Sequence, residues 1–154
     1  MEKICCFAGH SELFNVDDLC IKLISTVENL IVKENINEFW VGNYGAFDKL
    51  SAKAITKLKR KYPEIKLNLI IPYLTSEINK YKKYYYEIYD NILMADIPLK
   101  TPIKARIVKC NQYMIKKSEY LVCFINHSWG GAAKTLEYAK KNKKIQIINL
   151  AEQH

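Results

Sequence analysis

Short continuous apolar runs alternate along this chain with stretches whose apolar residues recur every three or four positions, so buried strands and amphipathic helices follow one another throughout. Lys3 to Ala8 is the first run, stopped by Gly9, and reads as a strand with a turn directly behind it. Leu19, Leu23, Ile24, Val27, Leu30 and Ile31 then share one helical face that ends near Lys33, with Asp17 or Asp18 placed to cap its start. The plan repeats. Glu38 to Val41 is a strand, Gly42-Asn43-Tyr44-Gly45 a turn, and Asp48 the expected cap of a helix carrying Leu50, Ala54, Ile55 and Leu58, closed by Tyr62-Pro63.

Ile65 to Ile71 is the strongest strand, stopped by Pro72. From Ser76 to Tyr89 a single helix is expected, with Tyr81, Tyr85 and Tyr89 packed on the sheet and Tyr84 and Tyr86 at its rim. Ile92 to Ile97 reads as a short strand, Lys104 to Lys117 as a helix, Tyr120 to Ile125 as a strand, Ala132 to Lys141 as a helix and Ile145 to Leu150 as the last strand. This order predicts an α/β protein, a Rossmann-like three-layer α/β/α sandwich with a mostly parallel sheet, in one domain over residues 1–154. Ligands of such sheets bind outside the carboxyl ends of the strands. Three loops qualify: Gly9-His10-Ser11-Glu12, Gly42-Asn43-Tyr44-Gly45, and Asn126 to Gly131.

Composition narrows the class further. A hydrophobic share of 49% with 26% charged residues fits a soluble globular chain and excludes disordered and fibrous ones. The net charge of +8 invites a polyanion partner, but Arg60 and Arg106 are the only arginines. The surplus is therefore surface lysine in a chain also rich in Ile and Asn, and nucleic acid is not the expected partner. Cys5, Cys6, Cys20, Cys110 and Cys123 form no Cys-x-x-Cys pair, which points to free thiols in a reducing cytoplasm and to no metal site. Met1 to Phe7 is too short for the apolar core of a signal peptide, and no apolar run approaches the roughly 20 residues that span a bilayer.

The sharpest local signal is Asn126-His127-Ser128-Trp129-Gly130-Gly131-Ala132-Ala133, a polar turn and paired glycines opening a helix behind a strand. Glycines there let a ligand approach the backbone, and the free amides of a helix start attract phosphate. The same residues also suit a plain tight turn, and they match neither Walker A nor the dinucleotide fingerprint. His10 and His127 both fall at strand ends and are expected to flank one pocket as anion donors or as acid and base; the third histidine is His154. Glu137 lies one to two turns into the helix, either facing the crevice or balancing nearby lysines. Asp48 either touches a ribose hydroxyl or only caps its helix. Trp129 either plugs the loop or offers a stacking face.

Five motifs in this order on one α/β frame carry a resemblance that covers nearly the whole chain. They are Cys5-Cys6-Phe7-Ala8-Gly9-His10, Trp40-Val41-Gly42-Asn43-Tyr44-Gly45-Ala46-Phe47-Asp48, Lys61-Tyr62-Pro63, Asn111-Gln112-Tyr113-Met114 and His127-Ser128-Trp129-Gly130-Gly131-Ala132-Ala133-Lys134. Together they resemble a YpsA-like branch of the SLOG superfamily, named after the Smf/DprA proteins and the Lonely Guy enzymes. The resemblance implies a Rossmann-like domain that holds a nucleotide or nucleotide-derived small molecule as a sensor or binding module, with no further cofactor and with assembly into dimers or larger.

Lonely Guy enzymes cleave the N-glycosidic bond of nucleoside monophosphates and show Pro-Gly-Gly-x-Gly-Thr-x-x-Glu. Gly130, Gly131 and Glu137 stand at the paired glycines and the acid, while Trp129, Ala133 and Lys134 replace the proline, third glycine and threonine. The family's arginine before the helix methionine falls on Cys110, and Ser11 stands where relatives often carry another. The implied ligand set is Gly9, His10, Ser11, Gly42, Asn43, Gly45, Asp48, Asn111, Ser128, Trp129, Gly130, Gly131 and Ala132. The alternatives are an N-glycosidase or deoxyribosyltransferase-like enzyme using Glu137 with His10 or His127, and a DprA-like binder of single-stranded nucleic acid.

Overall fold

The computed structural model describes residues 3–142 and 144–152, so His154 lies outside the described residues. Six strands run in chain order: β1 (Ile4–Gly9), β2 (Glu38–Val41), β3 (Lys66–Ile71), β4 (Asn91–Met94), β5 (Tyr120–Phe124) and β6 (Gln146–Asn149). They form one sheet in the order β4-β3-β2-β1-β5-β6, and every pairing among them is parallel. The helices are α1 (Val16–Glu34), α2 (Ala46–Lys59), α3 (Ser76–Lys80), α4 (Lys82–Ile88), α5 (Ile103–Lys117) and α6 (Gly131–Lys141). This is the Rossmann-like architecture that the alternation of runs predicts.

Side chains alternate across each strand, and the sequence uses both faces. Cys5, Phe7, Phe39, Val41, Leu67 and Leu69 pack under α1 and α2 against Leu23, Val27, Ala54 and Ile55. Their neighbours Cys6, Ala8, Trp40, Ile70, Leu121 and Cys123 face the other way, onto Cys110, Met114 and Ile115 of α5 and Leu136 and Ala139 of α6. Chain order moves outward from β1 through β4 on one side, then returns through α5 to place β5 on the other side of β1. Connections leaving β1 and β5 therefore diverge to opposite faces of the sheet, and a crevice opens between them.

Two polar side chains hold the sheet where hydrophobicity does not specify register. Asn68 of β3, buried to 1% exposure, donates to Glu38 Oε1 of β2 at 2.8 Å and accepts from Asn91 of β4 at 3.0 Å. Asn149 at the end of β6 grips the backbone of Ile125 from both sides, accepting from its N–H at 3.1 Å and donating to its carbonyl at 3.0 Å. That grip fixes how the chain leaves β5.

Local departures from the sequence reading have identifiable causes. Asn15, in the left-handed region, precedes α1, and Asp17 and Asp18 sit in the first turn as dipole partners instead of caps. The tyrosine tract is two short helices broken at Tyr81, which leaves the packed face and is 50% exposed, while Tyr85 and Tyr89 are buried as expected. β4 ends at Met94, short of Ile97. Gly45, not Asp48, holds the cap position of α2.

Gly9 is a glycine because α2 comes so close: a Cβ there would meet the Phe47 side chain at 2.3–2.5 Å, and Phe47 is fully buried. Gly9→Ala must push Phe47 out of its well, with an expected cost of about 2–3 kcal/mol in urea unfolding, as overpacked cores show. A cost near zero would mean that β1 and α2 are not in this contact.

Candidate functional site

The crevice between the ends of β1 and β5 is a cleft of ≈ 880 Å³, walled by the loop after β1, the first turns of α1, the β5–α6 loop and the start of α6, with Asp48 of α2 and Asn111 of α5 also reaching it. Its two halves are tied together at the bottom. The loop after β1 is zipped onto α2, whose Ala46 and Phe47 N–H groups donate to the carbonyls of Ser11 at 2.9 Å and His10 at 3.4 Å. The loop after β5 is tied to the same histidine, since the Asn126 N–H donates to His10 Nε2 at 3.0 Å.

That bond fixes the tautomer of His10: Nε2 accepts, so the ring is neutral with its proton on Nδ1. Burial, and then the nearby His127, lower its pKa from the usual histidine value, which favours this form. His127 stacks face to face on His10 with centroids 3.7 Å apart, and Trp129 stacks on His127 at 3.8 Å. The column starts at a buried ring and ends at an indole that is 69% exposed. Among the described residues, His127 Nδ1 is buried in it without a hydrogen-bond partner.

Helix starts differ sharply around this cleft. The first amides of α2 are consumed by the β1 loop, and a Cβ at Gly45 would strike Ser11 Cα at 2.6 Å, so this end is closed by protein. At α6, among the described residues, the N–H groups of Gly131, Ala132 and Ala133 donate to no protein acceptor, and the first such donor is Lys134 to the Gly130 carbonyl. Gly130 has φ +92°, a backbone that glycine adopts readily. Thr135 of α6 braces this turn by donating to the Gly131 carbonyl at 3.0 Å, and Asn111 of α5 donates to Thr135 Oγ1 at 3.2 Å.

Asp48 sits deep in protein at the wall of the cleft. Its Oδ2 accepts from the Tyr44 N–H at 3.0 Å, so it steadies the β2–α2 turn from inside the helix. Burial pushes its pKa up to about 6, and the Tyr44 bond only partly opposes this.

Of the expected ligand set, Gly9, His10, Ser11, Asp48, Asn111, Trp129, Gly130, Gly131 and Ala132 line this one cleft, as does His127. Gly42, Asn43, Gly45 and Ser128 do not. Gly42 instead makes room for Asp48, whose Oδ2 would lie 3.1 Å from a Cβ there. Glu137 is also outside: its side chain is 69% exposed and nearest in charge to Lys140 at 3.9 Å, one turn along the solvent face of α6. Cys110 is turned away, buried with its Sγ 3.7 Å from the Ile70 carbonyl, and burial pushes its thiol up to about 12. Tyr44 and Asn126, which the sequence singles out only as members of candidate loops, also line the cleft, as does Lys22, which no motif marks. Lys22 follows Asp18 by one helical turn, a spacing that marks a shared face but does not say which face meets a ligand.

The ionised Asp48 costs stability. Its folded pKa of about 6 lies above the ordinary 3.8, so the fold favours the protonated acid, and the penalty is absent below about pH 4 and fully present above about pH 6. Asp48→Asn keeps an acceptor for Tyr44 without that charge. At pH 7.5 it is expected to be more stable than the parent by on the order of 2 kcal/mol, with the difference vanishing toward pH 4 in thermal melts. A variant less stable at pH 7.5 would show that the carboxylate is held by partners other than Tyr44.

Comparison with known proteins places this geometry. The profile of the YspA SLOG family (YpsA) matches residues 9–152. The uncharacterised SPbeta prophage-derived protein YoqJ of Bacillus subtilis strain 168 is 28% identical over 135 residues, covering 78% of this chain and 79% of that one. Among solved structures, DNA processing protein A (DprA) of Streptococcus pneumoniae superposes with TM-score 0.65 at 15% identity, over 95% of this chain. Its Helicobacter pylori counterpart gives 0.63 at 14%, over 92% of this chain. This chain spans 49% and 62% of those two proteins, so the likeness is one of fold. With the match running from the end of β1 through β6, the chain belongs to the YspA SLOG family.

Proposed function

We propose that the protein binds a nucleotide or nucleotide-derived small molecule across the ends of β1 and β5 as a sensor or binding module, its phosphate on the first turn of α6. The observation that carries this reading is Gly131. Gly9 and Gly45 are glycines because protein presses on them, and Gly130 because of its positive φ, but a Cβ at Gly131 would meet nothing within 4 Å. Among the described residues, neither packing nor backbone strain asks for glycine there. Close approach of a molecule from outside accounts for it, at a helix start whose amides are free to bind an anion.

Lys22 and the two stacked histidines supply further donors in the same cleft, and membership of the SLOG family supports the reading. The free state of the five cysteines, four of them buried, supports a reducing compartment. Turnover is the weaker reading, because the carboxyl assigned to it, Glu137, faces solvent. Single-stranded DNA is the second reading, favoured by the likeness to the Helicobacter pylori protein, whose structure describes a single-stranded DNA binding mode, and by the charge of +8.

Millimolar AMP, NAD, ADP-ribose and cyclic nucleotides are the panel for thermal melts, and at least one is expected to raise the melting temperature by several degrees, as ligands well above their Kd do. Gly131→Ala separates the site from the fold. Its stability is expected to stay within about 1 kcal/mol of the parent or to rise, while affinity falls at least tenfold. A panel with no stabilising member would refute the reading. Tight, steeply salt-dependent binding of oligonucleotides alone would replace it with the second.

A further inference from the structure

Trp129 is a large apolar side chain held 69% exposed, yet it is neither loose nor folded back as a plug. Its order comes from inside the protein. His10, at 9% exposure, is fixed by the Asn126 N–H and meets Phe124 edge-on at 6.3 Å; His127 lies flat on His10, with 13° between the planes, and Trp129 flat on His127, with 17°. One face of the indole is used to close this column. The other ends it in water. An aromatic plane whose position is already fixed loses little entropy when a further ring is added to it, so the column is preorganised for one more planar layer.

What that layer is follows from its neighbours along the chain. Trp129 is followed directly by Gly130 and Gly131, whose helix start is suited to an anion, so the occupant joins a flat ring to a phosphate within a short span. An aromatic peptide side chain has the ring without the anion, and a free phosphate has the anion without the ring. Among nucleotides, a bicyclic base covers an indole face more completely than a monocyclic one does. We propose that the outer face of Trp129 is a base platform and that the ligand of this cleft is a purine nucleotide, its base forming the fourth layer on the column His10–His127–Trp129. This rests on the nucleotide reading above and specifies which nucleotide the site selects and which residue selects it.

Tryptophan fluorescence reads the contact directly. The other tryptophan, Trp40, is 7% exposed in the core beneath α5, stacked against Tyr113 and outside the lining of the cleft, so quenching by an added base reports on Trp129. AMP and CMP titrations of the intact protein, followed in parallel by fluorescence and by calorimetry, are expected to show AMP quenching the indole and binding about tenfold tighter than CMP. Trp129→Ala is expected to lose tenfold or more in AMP affinity and to bind the two alike, while Trp129→Phe recovers part of the preference. Unchanged melting temperatures would establish that both variants fold.

Equal affinity for AMP and CMP, or AMP binding by calorimetry that Trp129→Ala leaves intact, overturns the platform but leaves the nucleotide reading standing. No heat from any nucleotide overturns both. Quenching by oligothymidylate stronger than by AMP also overturns the assignment, making the column a stacking post for a DNA strand.

Discussion

One hydrogen bond joins the two halves of this molecule at the point where they part. β1 and β5 lie side by side in the middle of the sheet, and the chain leaves them toward opposite faces, so nothing in the sheet itself keeps their loops in register. The Asn126 N–H donating to His10 Nε2 does this. It sets the tautomer of a buried ring, and that ring carries the stack of His127 and Trp129 that delivers the chain to the start of α6. From the other direction, Asn149 holds Ile125, the residue just before, by both of its backbone groups. The loop over the cleft is therefore positioned by His10 behind β1 and Asn149 of β6, in a stretch where regular secondary structure supplies none of the constraint.

The starts of α1, α2 and α6 border the cleft, and the amides of the last two are used in opposite ways. Those of α2 satisfy carbonyls of the β1 loop, which locks the two loops together and removes that helix as an anion site. Those of α6 are left without acceptors among the described residues, at a pair of glycines. Asp48 adds a carboxylate that the fold holds against its own preference, because burial raises its pKa to about 6 while a neutral amide would serve the Tyr44 N–H as well. Free amides, an unpacked glycine and a disfavoured carboxylate are each costly or unneeded for folding alone, and they converge on one cavity.

The fold was legible because strand runs such as Ile65 to Ile71 and helical faces such as Leu19 to Ile31 repeat with clear periods, and because both faces of the sheet are covered. Position at the cleft was legible for residues at strand ends and turns, His10, His127 and the Trp129-Gly130-Gly131 run, and also for Asp48 and Asn111 inside helices, all of which line it. Motif spacing misled elsewhere. Glu137 occupies the right place in the family's pattern, yet the phase of α6 turns it to solvent. The Gly42–Gly45 turn is a candidate ligand loop by sequence, but a spacing does not reveal that another loop has docked on it, as the closeness of Gly45 to Ser11 shows. The exposed tyrosine at 81 was placed on a continuous helix that the backbone breaks there, since short helices packed at a sheet edge answer to tertiary contacts more than to period.

On the proposed reading, the first turn of α6 and the indole before it receive one ligand together. A titration of the isotopically labelled protein with AMP, followed by amide nuclear magnetic resonance, tests this most directly. The largest shifts are expected on the backbone amides of Gly131, Ala132 and Ala133 and on the indole N–H of Trp129, saturating with one common affinity. Shifts spread over the lysines of the surface, or confined to the Gly42–Gly45 turn with the α6 amides unmoved, would contradict it.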